Sequence, residues 1–350
     1  MTPLHALLAR RIHAAGPMTL ADYMADCLMH PTYGYYATRD PFGAGGDFVT
    51  APEISQMFGE LIGLCLAQCW RDQGAPAQIT LAEIGPGRGT LMADVLRATK
   101  GVAGFHAALS VHFIETSQTL RKLQAEAVPI ATWHDDVSTL PEAPLYLVAN
   151  EFFDALPIRQ FRRDAEGWRE HMVGVQGDTL VLGLSAPAPI ALLDDRLADT
   201  KPGDIVEHCP ALPAIVQTIS AKIEAHGGAA LIIDYGDWHS QGDTLQAVQS
   251  HSPANPFANP GLADLTAHVD FEAIAKAALS FSRVTQQGVF LERLGITARA
   301  RALAKGLTGD ALEAHIGAHR RLTHPDEMGS LFKVIGLYPP QGAPPPGLDP

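Results

Sequence analysis

Short apolar runs alternate with helical stretches along this 350-residue chain, and that alternation limits its fold more than any other feature. Strand–helix–strand repetition is typical of a parallel sheet covered by helices. The runs that read as strands are QITLAEIG (78–85), ALSVHFIE (108–115), PIATW (129–133), LYLVANE (145–151), AALIIDYG (229–236) and LFKVIGLY (331–338). The sequence therefore predicts an α/β fold with a Rossmann-like core built on a mostly parallel, twisted sheet.

The turn after the first strand has glycines at alternate positions, Gly85, Gly87 and Gly89, with Pro86 between the first two. Alternate glycines let the backbone approach a ligand closely, and the helix that follows offers N–H groups and a positive dipole to an anion. The dinucleotide pattern G-x-G-x-x-G is not met, because Thr90 stands where its third glycine or alanine belongs. A G-x-G-x-G turn is commoner in enzymes that use S-adenosylmethionine, although this motif alone leaves a nicotinamide cofactor open.

Acidic residues follow the ends of the neighbouring strands. Glu83 ends the first strand and can reach an amino group of the ligand, while Glu115 ends the second and can accept both hydroxyls of a ribose. Both cofactor classes need that ribose acceptor, so Glu115 does not separate them. Asp135, Asp136 and Val137 follow the third strand, where methyltransferases commonly use an acid for the adenine amino group and a backbone N–H for a ring nitrogen.

The fourth strand leads into the segment ANEFFDALPIRQF, which places an amide and two acids where open α/β sheets build their active sites. Carboxylates there can grip a cationic acceptor while apolar rings exclude water. We therefore predict Asn150, Glu151 and Asp154 as catalytic residues and Phe152 and Phe153 as substrate-binding residues. The competing interpretation is a helix cap at Asn150 or Asp154, with both phenylalanines in the core.

The composition limits the partner and the compartment. A formal net charge of −13 argues against a nucleic-acid partner and favours a basic partner or a cationic substrate. The four cysteines suit a reducing compartment, and the histidine and cysteine spacings match no metal motif, so no metal is expected.

No apolar run reaches the roughly 18 residues of a membrane span, so no membrane insertion is expected. The opening segment MTPLHALLARRIHAAG is interpreted as the first helix rather than as a transit peptide.

Long ordered segments of the chain resemble the MidA family of class I methyltransferases, which depend on S-adenosyl-L-methionine. The matching segments include GDFVTAPEISQMFGELIG (46–63), EIGPGRGTLMADVLR (83–97), IETSQTLRKLQ (114–124), ANEFFDALPIRQF (149–161), DTLQAVQSH (243–251), DLTAHVDF (264–271), QQGVFLERLGI (286–296) and MGSLFKVIGL (328–337). These segments extend almost from end to end and are far more specific than a glycine motif alone.

The resemblance implies S-adenosyl-L-methionine as the cofactor, S-adenosyl-L-homocysteine as the product and arginine on a protein as the acceptor. The family includes the mitochondrial complex I assembly factor that methylates an arginine. It therefore points to a respiratory complex I subunit or an assembly intermediate as the partner. The expected location is the cytoplasm of a bacterium, or the mitochondrial matrix if the source is eukaryotic.

The resemblance also implies roles for residues on which chemistry alone is silent. The GDF loop is expected to close over the cofactor and to bring Gly46, Asp47, Phe48 and Thr50 near it. Tyr33, His251 and His268 are expected to lie on the acceptor side. From the residues alone, Tyr33 reads equally as core packing and the two histidines as structural.

The predicted division of the chain follows from the strand pattern and the resemblance together. It comprises an N-terminal helical segment with a cofactor lid (1–60), a class I methyltransferase core with helical additions (61–157 and 226–338), an inserted acceptor-side subdomain of antiparallel strands and helix (158–225), and a disordered tail (339–350). Two alternative functions are left open: an assembly chaperone that binds S-adenosylmethionine without catalysis, and an NAD-dependent oxidoreductase. Thr90 argues against the second.

Overall fold

The computed structural model describes residues 1–38 and 50–350. Its N-terminal part consists of α1 (Pro3–Ala15), β1 (Met18–Thr19), α2 (Leu20–Met29), α3 (Tyr35–Thr38), α4 (Ala51–Ile54) and α5 (Gln56–Asp72). Side-chain oxygens of Thr2, Thr19 and Ser55 accept N–H groups in the first turns of α1, α2 and α5, so local capping sets where these helices begin. Within the described residues, no helix is long and apolar enough to cross a membrane.

The first half of the core alternates strands and helices as predicted. Its elements are β2 (Ile79–Ile84), α6 (Thr90–Thr99), α7 (Phe105–Ala108), β3 (Leu109–Ile114), α8 (Gln118–Ala127), β4 (Thr132–His134) and β5 (Leu145–Asn150). Every residue of β2 and β5 is buried, which explains why these strands read as continuous apolar runs rather than as alternating ones.

The remaining chain adds a second group of strands and returns to the core. Its elements are β6 (Arg159–Asp164), β7 (Gly167–Gln176), β8 (Thr179–Leu184), β9 (Ile205–His208), α9 (Leu212–His226), β10 (Gly228–Asp237), β11 (Gln246–Gln249), β12 (Ser252–Pro253), β13 (Asp264–Thr266), β14 (Val269–Asp270), α10 (Phe271–Ala277), β15 (Thr285–Gln286), α11 (Gln287–Arg293), α12 (Ile296–Leu303), α13 (Gly309–Thr323), α14 (Met328–Leu331) and β16 (Phe332–Leu337).

The central eight-stranded sheet has the order β15-β16-β10-β5-β2-β3-β4, with β14 paired to the end of β10. The pairs are parallel except for those that involve β16. The strand β2 lies between β3 and β5, so the order of the strands reverses there, and the carboxyl ends of β2 and β5 open a crevice at this switch point. The predicted α/β fold with a mostly parallel sheet is confirmed.

Helices cover both faces of this sheet. One apolar cluster packs α5 and α6 against it through residues such as Trp70 and Val95, and the other packs α9 and α10 through residues such as Val216 and Phe271. A third cluster joins α1 and α2 to β7 and β13 beside the carboxyl ends of the strands, around the buried ring of Tyr23. This third cluster supports the elements that cover the crevice.

The strands after β5 form antiparallel hairpins with turns at residues 165–166 and 177–178. The five-stranded sheet also takes in β1 at β7 and β9 at β6. All but the last residue of helix α9 falls inside the range predicted for the insertion, yet the helix packs against the central sheet. The division of the chain into the predicted segments stays a prediction.

The expected disorder of residues 339–350 is wrong. Leu348 is buried in the cluster around α5 and α11, and the Cys65 thiol donates a hydrogen bond to the carbonyl oxygen of Pro346 at 3.4 Å. Arg293 pairs with Asp349 at 2.8 Å. The proline-rich composition predicted a solvated tail, but one apolar side chain and these polar contacts attach the segment to the core.

Candidate active site

The glycine turn between β2 and α6 has the backbone conformation that its sequence predicts. Gly85, Gly87 and Gly89 have φ angles of 63°, 53° and 83°, in the left-handed region where a side chain is strained. A Cβ added to Gly85 would lie 3.0 Å from the ring of Phe152. The turn is therefore closely packed against the exit of β5, and its backbone borders the crevice.

A cavity of about 400 Å³ opens at the carboxyl ends of the central strands. Its lining includes the predicted residues Thr50, Gly85, Gly87, Glu115, Asp135, Asp136, Val137, Glu151, Phe152 and Asp154. The fold thus brings together side chains from four strand exits that the sequence could only place one by one.

Other predicted residues lie beside the cavity or away from it. Glu83 and Asn150 are buried and are not part of its lining, Pro86 and Gly89 belong to the turn, and Phe153 packs in the core. The Tyr33 ring is 37% exposed and stacks on His30 with their centroids 5.2 Å apart. His251 is exposed in a turn, and His268 contacts the Tyr235 ring edge-on. Gly46, Asp47 and Phe48 lie outside the described residues.

Glu115 is held at the end of β3 by two donors. Its Oε1 accepts the N–H of Ser117 at 2.7 Å, and its Oε2 accepts the amide of Gln124 at 3.1 Å. Burial raises the pKa of Glu115, and these hydrogen bonds oppose the rise. The carboxylate oxygens keep further lone pairs for a ligand on the cavity side.

Asp136 and Val137 form the next edge of the cavity. The Asp136 side chain accepts the N–H of Ser138 at 2.8 Å, caps the short 3₁₀ turn Val137–Thr139 and thereby lowers its own pKa. Asp135 pairs with Arg121, whose guanidinium also donates to the Glu115 carbonyl. These contacts fix the loop after β4.

Glu83 lies near the end of β2, two residues before the glycine turn begins, and is only 3% exposed. Burial raises its pKa to about 8, and the nearby N–H of Met92 offsets only part of that rise. Its Oε2 is buried and has no hydrogen-bond partner within the described part of the chain. A buried acceptor without a donor is costly, so this atom fits a ligand donor such as an ammonium group.

Glu151 adopts a strained backbone conformation at the exit of β5, with φ of 52°. Its Oε1 accepts the N–H of Ala51 at 3.0 Å and the amide of Asn150 at 3.1 Å. Burial raises the pKa of Glu151 to about 7, and the nearby Asp154 adds to the rise. Asn150 and the start of α4 therefore orient this carboxyl group toward the cavity.

Asp154 stands on the next turn and is 7% exposed. Burial raises its pKa to about 6, which the neighbouring Tyr235 hydroxyl partly opposes. Its Oδ1 is buried without a partner among the described residues. The pair of Glu151 and Asp154 thus places two poorly compensated carboxyl groups on one wall.

Asp234, three residues before the end of β10, contacts the site and was not predicted from the sequence. Its Oδ2 accepts the N–H groups of Phe153 and Asp154 at 3.0 and 3.2 Å, and it is fully buried. Burial and the charges of Asp154 and Glu151 raise its pKa. The acid that ends AALIID was a usable signal, because β10 is the neighbour of β5 and the two carboxyl ends meet.

Tyr36, Asp264 and Thr266 also line the cavity and were missed. The Tyr36 hydroxyl donates to Asp264 at 2.9 Å across 228 positions of sequence. Asp264 and Thr266 alternate with the buried Leu265 in β13, the pattern of a strand with one face toward the cavity. That alternation was readable, but no local signal says that β13 covers the crevice.

The residues present fit the ligand that the glycine turn suggests. The turn and the start of α6 suit a carboxylate, Glu83 an amino group and Glu115 a ribose. Together with the parallel sheet and its one antiparallel strand, they define the class of Rossmann-like methyltransferases that use S-adenosyl-L-methionine.

Comparison with known proteins makes this assignment more specific. Residues 61–289 match the model of a family described as S-adenosyl-L-methionine-dependent methyltransferase, and the chain belongs to that family. Human "Protein arginine methyltransferase NDUFAF7, mitochondrial" is 34% identical over 377 residues, which cover 97% of this chain and 84% of that protein. The protein of the same name from Xenopus laevis is 35% identical, and the match covers 94% of this chain and 83% of the Xenopus laevis protein. The resemblance inferred from the sequence is confirmed.

Solved structures agree with the family assignment. A Burkholderia thailandensis protein crystallised with S-adenosyl-homocysteine is 30% identical and superposes with a TM-score of 0.81, covering 99% of this chain and 92% of that one. A second structure from the same organism gives a TM-score of 0.80 at 31% identity, with the same coverage. The protein is thus a methyltransferase dependent on S-adenosyl-L-methionine, and the nicotinamide alternative is set aside.

Proposed function

We propose that this protein transfers a methyl group from S-adenosyl-L-methionine to an arginine side chain of a protein partner. The observation that carries the proposal is the charge of the cavity wall. Among the described residues, the lining contains no Lys, Arg or His, whereas its carboxyl groups are those of Glu115, Asp135, Asp136, Glu151, Asp154 and Asp264. Such a wall attracts a cationic side chain, and relatives of this chain are named protein arginine methyltransferases.

On the cofactor side, we assign the roles that the chemistry of each group allows. The N–H groups of the turn from Gly85 to Gly89 hold the carboxylate of the methionine part. Glu83 accepts hydrogen bonds from the amino group of the same part. Glu115 accepts the ribose hydroxyls, while Asp136 and the Val137 backbone meet the adenine. When bound, S-adenosyl-L-methionine supplies a methyl group attached to a positively charged sulfur, and that sulfur becomes a neutral thioether on transfer.

On the acceptor side, Glu151 and Asp154 bind the guanidinium group. A guanidinium is protonated below about pH 12 and is a poor nucleophile, so the site must fix its plane and take up a proton. Two carboxylates localise the positive charge away from the attacking nitrogen. The Oδ1 atom of Asp154 has no partner within the described residues, and it is our candidate to receive the proton that the nitrogen loses as the new C–N bond forms.

The ring of Phe152 packs against Gly85 of the glycine turn and lines the cavity. Its apolar surface excludes water from the space between the two ligands. Water exclusion strengthens each charge interaction, and alignment of two reactants can supply on the order of 7–11 kcal/mol. The contribution of the protein is therefore orientation and desolvation rather than stabilisation of a new charge.

The partner and the location are proposed as general classes. We propose a protein with a basic, arginine-containing segment, and by the family resemblance a respiratory complex I subunit or assembly intermediate. The relatives from human and Xenopus laevis are named mitochondrial. For this chain we propose a bacterial cytoplasm, or the mitochondrial matrix if the source is eukaryotic.

The experiment compares wild-type protein with the Glu151→Gln and Asp154→Asn variants. Each is incubated with a lysate of the source organism and a cofactor that carries a radioactive methyl group. Both substitutions keep the shape of the side chain and remove its charge, so transfer to protein should fall about a hundredfold or more, while S-adenosyl-homocysteine affinity stays within a few-fold. Unchanged transfer in both variants would refute these roles. Cofactor binding without any transfer by the wild type would support the non-catalytic chaperone instead.

A further inference from the structure

The cavity is covered by the small sheet that β11 and β13 form. The register pairs Gln246 with Thr266 and Val248 with Asp264. Paired residues lie on the same face of an antiparallel sheet, and all four of these side chains line the cavity. The residues between them, Ala247 and Leu265, face the apolar cluster around α1 and α2. The sheet therefore presents three polar side chains and Val248 to the cavity.

Asp264 is the acidic member of this face, and it is only 5% exposed. Its Oδ1 accepts the hydroxyl of Tyr36 at 2.9 Å. The carbonyl oxygen of Tyr36 in turn accepts the hydroxyl of Ser117, the capping residue of α8, at 2.8 Å. These two hydrogen bonds connect Asp264 to the residues that follow β3, where the proposed ribose acceptor Glu115 lies.

Asp154 lies near this pair. Burial raises the pKa of the Tyr36 hydroxyl, and the charges of Asp264 and Asp154 add to the rise. Asp154 is more than nine-tenths buried, lines the same cavity and keeps Oδ1 without a partner in the described part of the chain. Carboxyl groups thus converge on the cavity from β13 and from the exit of β5, and one of them lacks a donor.

We propose that Asp264, oriented by Tyr36, is an acceptor-binding residue that selects a guanidinium over an ammonium group. The inference rests on the proposed arginine acceptor. A guanidinium carries five N–H donors in one plane and can bond carboxylates along two of its edges at once. An ammonium group on a flexible stem has three donors and no plane. Glu151 and Asp154 bind one edge, and Asp264 binds another.

The test uses small cations in place of the unidentified acceptor. Protein saturated with S-adenosyl-homocysteine is titrated with ethylguanidinium and, separately, with ethylammonium, by calorimetry. Wild type should bind ethylguanidinium at least about tenfold more tightly than ethylammonium. Asp264→Asn should weaken ethylguanidinium about ten- to hundredfold and remove that preference. Tyr36→Phe should weaken it less, because the carboxylate remains.

Controls separate folding from recognition. Asp310→Asn removes an exposed acid at the start of α13, outside the cavity lining, and should leave both affinities unchanged. If Asp264→Asn does not bind S-adenosyl-homocysteine like the wild type, Tyr36→Phe decides the matter: a smaller preference for ethylguanidinium over ethylammonium supports the inference, and an unchanged preference overturns it. An unchanged ratio in a folded Asp264→Asn variant overturns the inference alone. Absence of any ethylguanidinium binding by the wild type overturns the arginine acceptor as well.

Discussion

The carboxyl group of Asp234 holds the turn that carries Asp154, because its Oδ2 accepts the N–H of that residue at 3.2 Å and the N–H of Phe153 at 3.0 Å. Its other oxygen accepts the N–H of Tyr235 at 2.9 Å. A single buried side chain on β10 therefore fixes the backbone from which the proposed catalytic acid projects.

Removal of that side chain should disorder the turn. We expect Asp234→Ala to lower turnover at least about tenfold and to reduce the free energy of unfolding by about 2–4 kcal/mol, because buried N–H groups lose their acceptor. Asp237→Ala, at the exposed end of the same strand, is the matched control. Steady-state kinetics and denaturant titration measure both effects. Equal behaviour of the two variants would remove Asp234 from the positioning of Asp154.

Gly85 allows a test of the turn that separates backbone strain from ligand contact. Gly85→Ala places a Cβ 3.0 Å from the Phe152 ring at φ of 63°. Gly177, in the β7–β8 turn, has φ of 61° and open space around it, so Gly177→Ala introduces the same strain away from the cavity. Both variants should lose about 1 kcal/mol of stability, but only Gly85→Ala should weaken S-adenosyl-homocysteine binding, by about tenfold or more. Calorimetry that finds equal affinities would place the cofactor elsewhere.

Activity should rise with pH through the neutral range. Asp154 and Glu151 have pKa values raised to about 6 and about 7, and they bind a guanidinium in their charged forms. Acceptor binding is therefore lost as pH falls through those values. The measurement is kcat/KM for the protein acceptor as a function of pH, with S-adenosyl-homocysteine affinity followed in parallel. A profile that is flat from about pH 5 to about pH 8 would contradict this role for the two acids.

The free protein should become less stable as pH rises through the pKa of Glu151, which is opposite to the pH trend of activity. Its pKa rises from 4.5 to about 7 on folding, so the folded state binds the proton more tightly than the unfolded chain. The folded state therefore loses stability as pH rises through that interval. Glu151→Gln should gain on the order of 1–2 kcal/mol over wild type at about pH 8 and much less at about pH 5. Denaturant unfolding at both pH values checks this, and a difference that does not change with pH would contradict it.

Glu207 joins the hairpin sheet to the segment that leads into β11. Its carboxylate accepts the amide of Gln160 at 2.7 Å and the N–H of Thr244 at 2.9 Å, and the Thr244 hydroxyl accepts the N–H of His268. Glu207→Ala should destabilise the protein by about 2–4 kcal/mol, since it leaves several buried donors unpaired. Thermal unfolding against Glu224→Ala, an exposed acid on α9, measures the difference. Equal midpoints would show that this network is not needed.

Much of the scaffold follows from local sequence, because a buried parallel strand and a glycine turn each leave a direct pattern. The runs that end at Glu83 and Asn150, and the left-handed glycines at 85, 87 and 89, required no knowledge of distant contacts. The contact of Tyr36 with Asp264 could not be predicted in this way, since it joins residues 228 positions apart through a sheet of three short strands. The ordered C-terminus was missed for the same reason, because burial of Leu348 depends on a surface made by α5 and α11.

The most direct test of arginine methylation locates the transferred methyl group on an acceptor protein. Purified enzyme is incubated with S-adenosyl-L-methionine carrying a deuterated methyl group and with a lysate of the source organism, and modified peptides are sequenced by mass spectrometry. We expect deuterated methyl groups on arginine, and none when Asp154→Asn replaces the wild type. Deuterium on lysine or on a carboxyl group, or an equal yield from the variant, would contradict it.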